Sequence, residues 1–203
     1  MGRITDPVLG QLRHPRGPLA PATARLLNLV NQPLNRFTVR TLELSGAEDV
    51  LDVGFGGGVG IGLVLQRLTT GRVAGIDISD EMADRARDRF ADAVANGRLV
   101  LARADVAAIP FADGSFDRVY TVNTVVFWRE VPPGLAEIQR VLRPGGRLVI
   151  AAPNAAFGLA SIAGLRPRSG AKGLAHVKRL AEDAGFIDAR LVGRLGPLLV
   201  ARR

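Results

Sequence analysis

Residues 50–60, Val50-Leu51-Asp52-Val53-Gly54-Phe55-Gly56-Gly57-Gly58-Val59-Gly60, decide the fold. Val50–Val53 is a short apolar run with the look of a buried strand, and it feeds straight into a turn dense in glycine. From Ile61 to Leu68 the apolar residues take helical spacing. Missing side chains let a backbone approach a ligand closely, and the start of a helix presents N–H groups without intrahelical partners. A strand, a glycine turn and a helix in that order open several nucleotide-binding α/β folds, so the turn alone does not choose the cofactor.

The glycine spacing is more selective. The dinucleotide fingerprint is G-x-G-x-x-G. Counted from Gly54 and Gly56, its third glycine falls on Val59. Started at Gly56 or Gly58, it falls on Ile61 or Leu63. The strict pattern fails in every register, whereas G-x-G-x-G fits Gly54, Gly56 and Gly58.

Outward from this unit, strands and helices alternate. RVAGID (72–77) reads as a second strand. Ser79 caps a helix through SDEMADRARDRFADAVA, with Asp80 and Glu81 in its first turn, and Asn96-Gly97 ends it. RLVLARAD (98–105) and FDRVYTVN (116–123) read as strands three and four. A helix over 132–142 is closed by Arg143-Pro144-Gly145-Gly146, and RLVIAAP (147–153) is a fifth strand. A helix near 173–185 precedes two final strands with no helix between them. The alternation predicts a largely parallel sheet with helices on both faces, and the last two strands an antiparallel hairpin. Before residue 46, residues 1–17 read as an irregular lead-in. Residues 18–44 read as two helices, with Pro33 in the first turn of the second. The expected division is therefore a lead-in and helical lid over 1–45 and one α/β domain over 46–203.

Three acids lie at the ends of three successive strands. Asp52 lies two residues before Gly54. A carboxylate there repels a pyrophosphate and suits a positively charged ligand without phosphate, such as S-adenosylmethionine. It would also serve as a strand-end residue tying down the loop. Asp77 comes 19 residues after Gly58, where an acid can accept from two ribose hydroxyls, as dinucleotide enzymes also arrange. Asp105 can accept from an adenine amino group with Val106 beside the ring, or simply make a turn.

Composition bounds the rest. The 203 residues are 47% hydrophobic and 23% charged, the profile of one ordinary globular domain. With no cysteine, and with His14 and His176 far apart, no metal centre is expected. No apolar run has the length of a membrane span, and the N-terminus lacks a signal-like stretch, so the cytoplasm is the expected compartment. The net charge of +8 is uneven: +4 over 1–45, −2 over 46–154 and +6 over 155–203. Basic ends can attract nucleic acid, an anionic membrane surface or an acidic substrate. They can equally reflect an arginine-rich composition, since only two of the 27 cations are lysine.

At this point the chain resembles class I S-adenosylmethionine-dependent methyltransferases, in particular the type 11 group. The pieces that carry the likeness are VLDVGFGGGVG, GIDISDEMADRAR, ADVAAIPFADGSFDRVYTVNTV and EIQRVLRPGGRLVI, in the family's order and spacing over about residues 48–152. The resemblance implies a Rossmann-like doubly wound seven-stranded sheet of order 3-2-1-4-5-7-6. It implies that Asp52, Gly54, Gly56 and Gly58 surround the methionine part of S-adenosyl-L-methionine. Asp77 would hold the ribose, Ile78 and Met82 would line the adenosine pocket, and Asp105 and Val106 would meet the adenine. Asn123 would sit near the transferable methyl. Phe55 departs from the family, which often has a small residue or cysteine there, and can narrow the mouth. The short segment after the fifth strand leaves most of the lid to the N-terminal helices.

Methyl transfer from a sulfonium is an in-line displacement, so alignment and exclusion of water carry the chemistry. No general base stands out, and none is required for an acceptor that deprotonates readily. Tyr120 reads as core and His176 as a surface helix residue, while His14 could touch substrate. Phe127 and Trp128 either stack on a flat acceptor or pack the next helix. The expected activity is transfer to a small molecule that is lipid-like, quinone-like or aromatic. Alternatives are an RNA methyltransferase using the basic ends, or a non-catalytic cofactor-binding protein. The RNA reading lacks an N-P-P-Y type motif, since Asn123-Thr124-Val125-Val126 stands there, and it lacks a cysteine for pyrimidine attack. A nicotinamide oxidoreductase is disfavoured by the glycine spacing.

Overall fold

A computed structural model describes residues 32–152, 173–193 and 198–203. Of the helical stretch expected over 18–44, residues 18–31 lie outside the described residues, as do His14 and the lead-in. In chain order the elements are α1 (32–41), β1 (Val50–Val53), α2 (Val59–Leu65), β2 (Val73–Asp77), α3 (Asp80–Arg89), α4 (Ala91–Ala95), β3 (Leu99–Arg103) and β4 (Phe116–Val122). A 3-10 turn (Val125–Phe127), α5 (Val131–Val141), β5 (Leu142–Ala151), α6 (Leu174–Asp183), β6 (Ile187–Val192) and β7 (Leu198–Arg202) follow.

The seven strands lie in the order β3-β2-β1-β4-β5-β7-β6. All pairs are parallel except β5–β7 and β6–β7. This is the Rossmann-like order with the expected antiparallel hairpin at the end. Side chains alternate across the sheet, and so does its core. Leu51, Val53, Ile76, Val119, Leu148 and Ile150 join the cluster on one face with α5 and α6. Val50, Val73, Tyr120, Val149 and Val200 join the other, with α2, α3 and the end of α1. Asp52 and Tyr120 are register partners on neighbouring strands β1 and β4 and share that second face.

Several boundaries differ from expectation for tertiary reasons. Pro33 does fall in the first turn of α1, but the helix stops at 41, short of 44. Glu43 there takes a left-handed φ of 54°. The helix expected over 79–95 is two helices, broken at Phe90, whose φ of −118° and ψ of 32° are non-helical. Its ring covers Gly58 and Gly62 of the first unit. The third strand ends at Arg103, two residues before Asp105. The fifth begins at Leu142, with Arg143–Gly146 forming an irregularity before regular pairing resumes at Arg147. Gly145 and Gly146 exchange backbone bonds with Arg203, which draws that turn into the sheet.

Candidate functional site at the carboxyl ends of β1, β2 and β3

Most candidate groups come from a strand end or the turn after it, with Asn35 from α1 and Met82 from α3 as additions. β1 delivers Asp52 and then the glycine turn. Gly54, Gly56 and Gly58 all have positive φ, at 76°, 49° and 70°, which L side chains rarely adopt. Gly54 also has no room for a side chain, since a Cβ would lie 2.5 Å from Thr124 Cγ2. Thr124 in turn receives the Trp128 Nε1–H at 3.2 Å and shares a short hydrogen bond with Thr121, whose hydroxyl donates to Val53 O at 2.8 Å. The end of β4 is thereby tied to the end of β1.

The turn pairs several of its N–H groups with protein acceptors. Gly54 N donates to Ile76 O at 2.7 Å, Gly58 N to Phe55 O at 2.9 Å, and Gly56 N to Asp77 Oδ2 at 2.9 Å. A pyrophosphate cradle needs such donors aimed outward. This turn offers close approach with a carboxylate beside it, so the residues fit a phosphate-free ligand with a cationic part. Asp77 holds the arrangement from both sides, since its Oδ1 accepts Ser79 N at 3.0 Å. Ser79 is the α3 cap, accepting from Met82 N.

Two cavities open near these strand ends, and Asp77 lines neither of them. One, of about 110 Å³, is lined by Asn35, Asp52, Gly54, Phe55, Gly56, Gly57, Val59 and Val122. The other, of about 420 Å³, is lined by Ile78, Arg103, Ala104 and Asp105. Asp52 and Asp105 thus line separate cavities, and Asp77 belongs to the strand between theirs in the sheet. Phe55 is buried in contact range of Gly75, where a Cβ would meet its ring at 2.8 Å, and it forms one wall of the smaller cavity.

Asp52 is the electrostatic centre of the smaller cavity. It is 3% exposed, and Tyr120 Oη donates to its Oδ2 at 2.6 Å. Burial lifts the carboxyl to about 7, the Tyr120 hydrogen bond works against that lift, and the Asp77 charge adds to it. Burial and the Asp52 charge push the Tyr120 phenol well above its ordinary value, so it stays a donor.

Other predicted residues divide. Ile78 is 57% exposed on the larger cavity, and Met82 is half-buried against the core. The Asp105 carboxylate accepts Ala107 N at 2.9 Å, forming a turn while still lining that cavity. The Val106 side chain is buried against the position of Gly134 in α5 and faces the core. Asn123 follows β4 with φ 60°, and its N–H donates to Ala151 O at 2.7 Å. Trp128 is buried over Gly134, which is the packing alternative, whereas Phe127 stays exposed. His176 lies on α6 within 3.4 Å of Arg179 Nη2. Among the described residues no cluster of potential metal ligands occurs.

Three contributors were not foreseen. Asn35 interrupts the apolar stripe of α1, where Thr38, Val39 and Leu42 are the other buried positions, and a polar residue on that stripe was the available signal. Phe90 and Arg89, whose Nη1 donates to Gly57 O at 2.6 Å, close over the glycine turn from α3. The Tyr120–Asp52 bond depends on strand register, which no local pattern announces.

Residues 51–150 match the model of a methyltransferase domain. The chain is 37% identical over 131 residues to the ubiquinone/menaquinone biosynthesis C-methyltransferase UbiE of Geobacter sp. (strain M21), covering 62% of this chain and 54% of that protein. It is 34% identical over 131 residues to the O-methyltransferase cnsE of Penicillium expansum, covering 64% and 47%. The chain therefore spans about half the length of these curated relatives. Among solved structures, a SAM-dependent methyltransferase from Aquifex aeolicus superposes with a TM-score of 0.69 at 19% identity, covering 90% of this chain and 96% of that one.

Proposed function

The chain belongs to the methyltransferase domain family, and from that premise we propose that it is an S-adenosylmethionine-dependent methyltransferase acting on a small molecule. The observation that carries this reading is the row of carboxylates at the carboxyl ends of three adjacent strands. Asp52 within β1, Asp77 at the end of β2 and Asp105 just after β3 lie near a glycine turn in which the Gly54, Gly56 and Gly58 N–H groups are paired within the protein. In this reading Asp52 and the wall of Gly54, Gly56 and Gly58 hold the methionine part, with Asn35 as cover. Asp77 meets the ribose. Ile78 and Asp105 hold the adenine side, where Met82 supports the pocket from α3, and Val106 contributes backbone only.

When bound, the cofactor supplies a methyl group activated by a sulfonium. The protein's task is to fix the acceptor in line and keep water out, and such positioning can be worth about 7–11 kcal/mol. Asn123, held in a left-handed turn at the end of β4, and the exposed Phe127 after it are the residues proposed to orient the acceptor. With Trp128 buried, Phe127 is the aromatic surface offered to a flat acceptor. The relatives named for C- and O-methylation support a quinone-like, lipid-like or aromatic acceptor. Residues 1–45 are proposed to act as the lid, of which α1 is the described part.

Titration calorimetry with S-adenosylmethionine and with NAD tests the cofactor. Binding of the former alone is expected, and binding of NAD alone would overturn the reading. Incubating extract fractions with labelled S-adenosylmethionine tests the acceptor: label is expected in the small-molecule or lipid fraction, and label confined to RNA would refute that class.

A further inference from the structure

Resting on the cofactor reading above, we propose that Tyr120 is a positioning residue for cofactor binding: it occupies Oδ2 of Asp52, so that a cationic ligand displaces the proton from Oδ1.

The geometry is specific to this pair. Asp52 and Tyr120 are direct register partners on β1 and β4, so their side chains stand together on one face. Both are buried, and their oxygens are 2.6 Å apart. The helix above makes room for the bond. A Cβ on Gly60 of α2 would lie 2.7 Å from Tyr120 Oη and 3.0 Å from Asp52 Oδ2. On the other side Asp52 is paired in the sheet with Gly75 of β2. The same carboxylate lines the cavity beside the glycine turn, together with Asn35 of α1.

The groups acting on Asp52 are Tyr120 from β4 and the Asp77 charge from β2, while α2 presents Gly60 and α1 presents the uncharged Asn35. Burial places the carboxyl near 7, so the neutral acid is well populated at neutral pH. Tyr120 stays protonated and donates. Oδ2 is therefore the accepting oxygen, and the acid's proton resides on Oδ1. A ligand ammonium needs that oxygen as a carboxylate. Binding to the neutral acid then releases one proton to solvent: the ammonium's single positive charge before binding becomes an uncharged carboxylate–ammonium pair plus one free proton. Tyr120→Phe removes the hydrogen bond that favours the charged form, so Asp52 ionises at higher pH.

Calorimetry of the full chain with S-adenosylmethionine, in buffers of differing ionisation enthalpy, reads both affinity and protons released. For the wild type, affinity should rise between pH 6 and pH 8, with close to one proton released per ligand at the acid end. Tyr120→Phe should bind roughly tenfold more weakly near pH 7, with the gap narrowing toward pH 9. The ligand's own amine titrates alike for both proteins, so the difference isolates the protein group. Asp52→Asn should release no proton. Gly60→Ala reaches the same bond from the helix side and should shift the acid limb as Tyr120→Phe does. If Tyr120→Phe and Gly60→Ala keep the wild-type pH profile and proton count, the inference fails while the cofactor reading stands. If the wild type binds no S-adenosylmethionine at any pH, the cofactor reading fails and the inference with it.

Discussion

The Phe90 ring lies directly over Gly58, so close that a Cβ on the glycine would come within 2.7 Å of Phe90 Cε2. Arg89 beside it donates to Gly57 O, and its guanidinium stands 5.1 Å from the Phe90 ring centre. The break between α3 and α4 therefore holds the far side of the glycine turn in place.

Phe90→Ala should loosen that turn. The ring is half-buried, so the stability cost should be about 2 kcal/mol, below the ~3–5 kcal/mol of a fully buried aromatic ring. Cofactor affinity should fall roughly tenfold, or about 1.4 kcal/mol. Thermal unfolding and calorimetry read the two effects. Unchanged affinity in a folded Phe90→Ala protein would show that the ring only packs.

Local chemistry made much of this fold legible. The glycine turn, the Ser79 cap, Asn96-Gly97 and the missing last crossover are all decided within a few residues, and the strand order followed from the family likeness. What stayed hidden is tertiary. A helix-friendly run such as RDRFADAVA gives no sign that Phe90 will leave helical geometry to cover a glycine 32 residues earlier. Trp128 and Phe127 are adjacent and chemically alike, yet only Gly134, on the next helix, decides which of them is buried. Tyr120 was placed in the core correctly, but its bond to Asp52 needs the β1–β4 register.

Asp77 and Asp105 should differ when each is replaced by alanine. Asp77 accepts two backbone N–H groups, from Gly56 and Ser79, so its loss should cost about 1–3 kcal/mol of stability as well as affinity. Asp105 is exposed and accepts only the nearby Ala107 N–H, so its loss should cost under about 1 kcal/mol while still weakening binding severalfold. Denaturant unfolding alongside calorimetry separates the two columns. Full cofactor affinity in either variant would remove that residue from the proposed site.

Glu48 sets part of the acid limit of the fold. Burial pushes its carboxyl up, but hydrogen bonds from the Ser45 hydroxyl, Ser45 N and Gly46 N outweigh this and bring it to about 2. A depressed carboxyl stabilises the fold above its ordinary value and loses that contribution as pH falls toward the folded one. The window runs from about 4.5 down to about 2. Glu48→Gln should cost about 3 kcal/mol at pH 7, and the gap to wild type should narrow to less than half near pH 3 and close only below about pH 2 in unfolding experiments. A gap independent of pH would mean that the charge of Glu48 is not what holds the 45–46 turn.

Asp52 acts with the opposite sign. Its raised carboxyl means that the folded state holds the proton more tightly, so stability is favoured at low pH and lost as pH rises from about 3.8 through about 7. Asp52→Asn keeps an acceptor for Tyr120 and removes the buried charge. Its Tm should exceed that of the wild type at pH 8, and the two should converge near pH 4, while cofactor binding weakens. A variant less stable than wild type at pH 8 would contradict the assigned burial cost.

Arg147 joins the sheet to the helix that brings Asn35 to the cavity. It is 7% exposed on β5, donates to Thr41 O at 2.8 Å and pairs with Glu43 at 2.5 Å. Arg118 on β4 donates to Leu42 O at 2.8 Å. Two guanidinium groups thus satisfy the last carbonyl of α1 and the one just after it, which no intrahelical partner reaches. The Glu43 pairing holds a residue whose left-handed φ carries a backbone cost. Arg147→Met should release the end of α1 at a cost of about 2–3 kcal/mol and weaken cofactor binding through Asn35. Asn35→Ala should weaken binding with a smaller fall in Tm than Arg147→Met, because it leaves the carbonyl anchors in place. If Arg147→Met lowers Tm but leaves affinity intact, α1 is a packing element, and the lid assignment for the N-terminal segment falls with it.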